Sequence, residues 1–294
     1  MKKILFSLLT LLILVSCGSS RNWKNEYAKD FNPPKDQGGL GNGKTFQGFG
    51  GIAKKAERKH TPIIFVHGNG GDATNYLKLA KKFHESGYSM QELWSFSYMG
   101  VPGTMDRSMN PHSQEVQDLH LFIQAVLEYT GADKVDIIAH SMGSSLSLYW
   151  MKQYDTYDKV NTLVAVAGAL HGFPDMEGVE WAPAWMEKNI RYQKDETPFG
   201  KPKDEKNHVP PQGNKEITYI VVHAGKDDAV VHSFSLNLES PLLEGADATY
   251  NLEGKTSPSK ENPADFEREC GAHCWIIMNP DPIFNVLKNH FPVE

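Results

Sequence analysis

The chain is predicted to fold as an α/β protein with a mostly parallel central sheet and helices on both faces. Three observations predict this. Residues 62–66, 135–139, 160–167 and 217–222 are short apolar runs of the kind that fill strands buried on both sides. Stretches with helical spacing of apolar residues lie between several of these runs, the alternation expected of a parallel sheet. Polar groups recur just past the ends of the runs, at His67, Ser141 and Asp227-Asp228. In sheets of this class, functional groups gather at the C-terminal ends of the strands.

Taken in order, residues 62–66 form the first strand, and Gly68 to Gly71 break it. Residues 75–86 read as a helix with Leu77, Leu79, Ala80 and Phe83 as its apolar positions. Residues 93–98 supply the next strand. The clearest helix is 114–129, where Val116, Leu119, Phe122, Ile123, Val126 and Leu127 recur at steps of three and four. Residues 135–139 form a central strand, and Ser141 opens the helix after it. Residues 160–167 and 217–222 are two further strands, 248–252 a weaker one, and 282–291 a final helix.

At 294 residues the chain is long enough for one substantial core. Its formal charge of -6 comes without a basic stripe, which argues against a nucleic-acid partner. The first 16 residues read as a targeting segment: Lys2 and Lys3, then an apolar run over 4–15 that is short for a membrane span. The run ends in Leu14-Val15-Ser16-Cys17-Gly18, which resembles the lipobox of bacterial lipoproteins. That resemblance implies cleavage before Cys17, acylation of Cys17, and anchoring of an exported domain at a membrane of the cell envelope, with the outer membrane or cell surface as the expected place. An ordinary secretory signal cleaved nearby is the alternative. Residues 17–60, polar and glycine-rich, read as a tether and lead-in. The catalytic domain is expected over 61–294, with an insertion at about 172–215.

The segment Ile138-Ala139-His140-Ser141-Met142-Gly143 places a serine between a strand and a helix. There a tight turn lifts Oγ above the sheet, and the helix N-terminus offers backbone N–H groups to negative charge. An ordinary helix-capping serine is the alternative. A serine nucleophile needs a histidine base and an orienting carboxylate, here expected in the chain order serine, acid, histidine. Asp228 is the preferred acid because it stands just before the apolar Ala229-Val230-Val231, and Asp227 is the alternative. His273 is the preferred base, in a loop before the final helix; His290 is a poorer candidate. His171 and His232 are the other histidines that could line a pocket.

The oxyanion hole is expected to use the N–H of Met142 and a second N–H from His67-Gly68-Asn69-Gly70-Gly71, with Asn69 preferred over Gly70. Cys270 and Cys274 could bridge and restrict the His273 loop in an exported protein. A metal site at these residues lacks a second ligand group of the usual spacing. No cofactor is expected.

These residues resemble the α/β-hydrolases, and within them the class 2 secreted lipases. The matching stretches are Val66-His67-Gly68-Asn69-Gly70-Gly71, Phe122-Ile123-Gln124-Ala125-Val126, residues 130–143 around the serine, and Val166-Ala167-Gly168-Ala169. Extracellular polyhydroxyalkanoate depolymerases are similar to this group. The resemblance implies an α/β-hydrolase fold and ester hydrolysis, commonly of glycerides. It carries the nucleophile onto Ser141, the oxyanion donors onto Asn69 and Met142, and the acid and base onto Asp228 and His273. The partner implied is an apolar ester, glyceride or polyester. A non-catalytic surface lipoprotein that binds glycans or protein is the reading of another class. The aromatic stretch 181–192 suits either an acyl pocket or ordinary loop packing.

Overall fold

The computed structural model describes residues 26–34, 48–51, 58–68, 71–98, 114–168, 170, 216–228, 230–231, 241–243, 245–255 and 271–291. The strands are β1 (Gly48–Gly50), β2 (Ile63–Val66), β3 (Leu93–Phe96), β4 (Val135–His140), β5 (Val160–Val166), β6 (Thr218–His223) and β7 (Ala248–Asn251). The helices are α1 (Leu77–Glu85), α2 (Gln114–Thr130), α3 (Met142–Tyr154), α4 (Ala272–Met278) and α5 (Pro280–Leu287). Short 3-10 turns precede α1, β3 and β5 and follow β6.

The seven strands make one sheet in the order β1-β3-β2-β4-β5-β6-β7. Every pairing from β3 to β7 is parallel, and β1 alone runs antiparallel, against β3. Strand β1 was not expected: its three residues include two glycines and carry no apolar period. The sheet therefore takes in residues before Thr61. Tyr27 bridges to Gly50, and Phe31 packs 4.8 Å from Trp94, so part of the lead-in lies against the sheet.

The apolar strands are apolar throughout because the sheet is covered twice. Ile64, Val66, Ile137, Ala139 and Val221 face a core completed by α2 and α3, including Leu119, Phe122, Leu146 and Trp150. Ile63, Phe65, Ile138, Val164 and Val222 face a second core completed by α1, α4 and α5, including Phe83, Ile276, Ile283 and Leu287. Alternate residues of one strand thus enter opposite cores. Each large side chain so buried contributes about 1.5–3 kcal/mol. Among the described residues, no helix is long and apolar enough to cross a membrane.

Buried polar groups also lie away from the strands' C-terminal ends, among them Glu92, Thr162 and Asp136. Asp136, near the start of β4, is 4% exposed and accepts a 2.8 Å bond from Asn161 Nδ2. Burial outweighs its hydrogen bonds and pushes its carboxyl up from the ordinary 3.8 to about 6. Its protonation therefore favours the fold, and that contribution is lost as pH rises from about 4 through about 6. Asp136→Asn should remove this part of the pH dependence. Thermal midpoints of wild type and variant between those pH values check it; parallel curves would refute it.

Candidate active site

The turn from β4 into α3 puts Ser141 in a rare conformation, φ 52 and ψ -125. A non-glycine residue there is strained by about 1–3 kcal/mol. Neighbouring bonds hold it: Ser141 N–H donates to Val166 O at 2.9 Å, and Ser144 Oγ donates to Ala139 O at 2.9 Å. Gly143 has to be glycine, because a Cβ there would sit 2.4 Å from the His67 carbonyl oxygen. The position occupied by Ala139 meets no such limit. It lies at the end of β4 with its methyl in the core shared with α2 and α3.

Asp228 follows β6 and the 3-10 turn Gly225–Asp227, and is 3% exposed. Its Oδ1 accepts from the Val231 N–H at 2.9 Å. Burial alone would raise its carboxyl, but the charge and hydrogen bond of His273, with the Val231 N–H, hold it below the usual aspartate range. Asp227 turns the other way, its Oδ2 accepting from Gly254 N–H at 2.5 Å, and so orders the loop. His273 Nδ1 lies 2.9 Å from Asp228 Oδ2 and 3.0 Å from Oδ1. Its Nε2 lies 2.9 Å from Ser141 Oγ. With the carboxylate accepting from Nδ1–H, Nε2 is left to accept the serine proton.

Ser141, His273 and Asp228 are therefore one bonded line at the C-terminal edge of the sheet. The chain is a serine hydrolase with the α/β-hydrolase fold.

The hydrolase departs from expectation at its base. His273 is not in a loop: it is the second residue of α4, 4% exposed. Of the expected Cys270–Cys274 bridge, only one end is described. No disulfide joins two described residues; Cys274 is disulfide-bonded, and Cys270 lies outside the described residues. The first turn of α4 and the bond to Asp228 set the order of the base. His290 makes a 2.5 Å bond with Tyr250 Oη and takes no part in the triad. Asn69, Gly70, His171, His232, Cys17 and the stretch 181–192 lie outside the described residues.

Two further histidines belong to the hydrolase's site, and sequence reasoning did not assign them. His67 Nδ1–H donates to Gly68 O at 2.8 Å, and its Nε2 accepts from Tyr98 N–H at 3.1 Å. Burial holds it neutral, its pKa lowered to about 4 despite the Gly68 bond and Asp72. The other is His140, whose Nε2 lies 2.7 Å from the His273 carbonyl oxygen. The signal for both was adjacency, to the glycine turn and to the serine, but the bonds to Tyr98 and to the His273 carbonyl are remote in sequence. Met142 opens α3, so its N–H has no carbonyl partner within the helix. Among the described residues, no group of three or more His, Cys, Asp or Glu could hold a metal ion.

The model of the class 2 lipase family matches residues 60–178, less than half of the chain. Among solved structures, the mature lipase BlEst2 of Bacillus licheniformis is similar at 16% identity and a TM-score of 0.48, over 81% of this chain and 96% of that one. A carboxylesterase structure from the ammonia-oxidizing thaumarchaeon Nitrososphaera gargenis gives 13% identity and a TM-score of 0.45 over 79% of this chain and 90% of that one. The 2-hydroxy-6-oxo-6-phenylhexa-2,4-dienoate hydrolase of Rhodococcus sp. strain RHA1 gives 16% and 0.43 over 78% and 90%.

Because Asp228, and not Asp227, faces His273, Asp228→Asn should lower kcat by about 10⁴-fold. Asp227→Asn should leave kcat within a few-fold of wild type. Steady-state hydrolysis of a short p-nitrophenyl ester by both variants checks this, and a large loss confined to Asp227→Asn would reverse the assignment.

Proposed function

We propose that the hydrolase is a carboxylic ester hydrolase acting on apolar acyl esters, with triacylglycerol as the leading substrate. The observation that carries the chemistry is the Ser141–His273–Asp228 line of hydrogen bonds. His273 Nε2 takes the Ser141 proton as Oγ bonds to the ester carbonyl carbon. The carbonyl electrons move onto oxygen, and the N–H groups of Met142 and Asn69 are the proposed donors to that oxyanion. One such donor contributes about 3 kcal/mol to the transition state. Protonated His273 then gives its proton to the leaving alcohol. Water, deprotonated by His273, cleaves the acyl-enzyme and restores Ser141.

The glyceride preference is supported by the class 2 lipase match around the nucleophile and by the aromatic stretch 181–192. A panel of short and long p-nitrophenyl esters, emulsified triacylglycerol and amorphous polyhydroxybutyrate tests it. Triacylglycerol should be cleaved and Ser141→Ala should abolish cleavage. Release of hydroxybutyrate oligomers with negligible glyceride cleavage would overturn the lipase reading and leave the Ser141 chemistry intact.

The same proposal places the enzyme outside the cytoplasm, tethered through acyl chains on Cys17. The basic and apolar leader ending at Leu14-Val15-Ser16-Cys17 supports this, and each buried acyl CH₂ contributes about 0.8 kcal/mol to anchoring. Intact-mass analysis should find acylated Cys17 as the first mature residue, and Cys17→Ser should release the protein from membranes. Wild-type protein found soluble and unacylated would refute the anchor.

A further inference from the structure

We infer that His140 is a positioning residue for the reaction: its ring braces the backbone of the base against the nucleophile turn, keeping His273 Nε2 within reach of Ser141 Oγ. The inference rests on the hydrolase reading of the site. His140 is the last residue of β4 and is covalently joined to Ser141. Its Nε2 lies 2.7 Å from the His273 carbonyl oxygen. A carbonyl only accepts, so this nitrogen carries the proton. The other edge of the ring faces the glycine turn after β2, where a Cβ on Gly68 would lie 2.8 Å from His140 Nδ1. The imidazole therefore stands between the glycine turn and the first turn of α4, 5% exposed, with its centroid 4.8 Å from that of His273.

Asp228 sets the direction of the His273 ring, but a ring is placed only as well as its backbone. The bond from His140 ties that backbone directly to the residue beside the nucleophile, across 133 positions of sequence. Burial, followed by the neighbouring His273, lowers the His140 pKa to about 3, so the ring remains a neutral donor while His273 gains and loses its proton. A positive charge at His140 would oppose the imidazolium that forms on His273 during attack.

The test compares His140→Phe, His140→Gln and His140→Asn in the full-length protein. Phenylalanine keeps the ring without the donor, glutamine returns an N–H near the Nε2 position, and asparagine is an amide too short to reach. The readouts are kcat and KM on p-nitrophenyl butyrate, the rate of Ser141 labelling by a fluorophosphonate, and Tm. With a displaced base, kcat and the labelling rate should fall together by about 10–100-fold in His140→Phe while KM changes little. His140→Gln should recover most of the loss. Folded His140→Phe with wild-type kcat would overturn the inference. If His140→Phe does not fold, the amide pair decides: Gln faster than Asn at equal Tm supports the brace, and equal rates overturn it. Wild-type protein that neither hydrolyses the ester nor labels at Ser141 would refute the hydrolase reading itself, and this inference with it.

Discussion

Ser141 stands in a left-handed conformation at φ 52, and the active site depends on keeping it there. The strain is small beside the packing that opposes its release. Helix α3 is buried along most of its length between the sheet and α2, and its first turn lies against the backbone at the end of β2. Relaxing the turn would move that helix and open the core. A local cost of about 1–3 kcal/mol is therefore carried by an element that contributes far more through burial. The result is a hydroxyl held at the sheet edge, beside N–H groups that a helix start leaves without internal partners.

The electrostatics of the site follow from how little water reaches it. Among the described residues, three histidines lie at this site, and two cannot serve as the base. Burial keeps His67 and His140 neutral, and each has a ring nitrogen engaged with backbone. His273 is the histidine with a carboxylate on one nitrogen and the serine on the other. Asp228 stays ionised although buried because its partners are already in place. At the other end of the sheet the hydrogen bonds of buried Asp136 do not offset its burial, and its carboxyl is raised to about 6.

The parallel sheet explains how these groups meet. Ser141 follows β4, Asp228 follows β6, and His273 opens α4 beyond β7. Parallel strands finish at one edge, so residues far apart in the chain arrive on the same side. The register of β4 on β5 and of β5 on β6 sets their spacing.

By itself, the sequence determined the strands from β2 to β7, the helices α1 to α3 and the last helix α5, and the chemistry of the serine. Period, apolar runs and the strand-to-helix motif are local signals, and local physics produces them. It also favoured Asp228 over Asp227, because the apolar return after Asp228 marks where the chain turns inward. Strand β1 escaped because three residues with two glycines carry no period. The helical setting of His273 escaped because its apolar residues form a single short run, Trp275 to Met278. Only the tertiary structure decided the roles of His67 and His140. Their bonds reach Tyr98 and His273, and a contact across 31 or 133 residues leaves no mark on the local pattern.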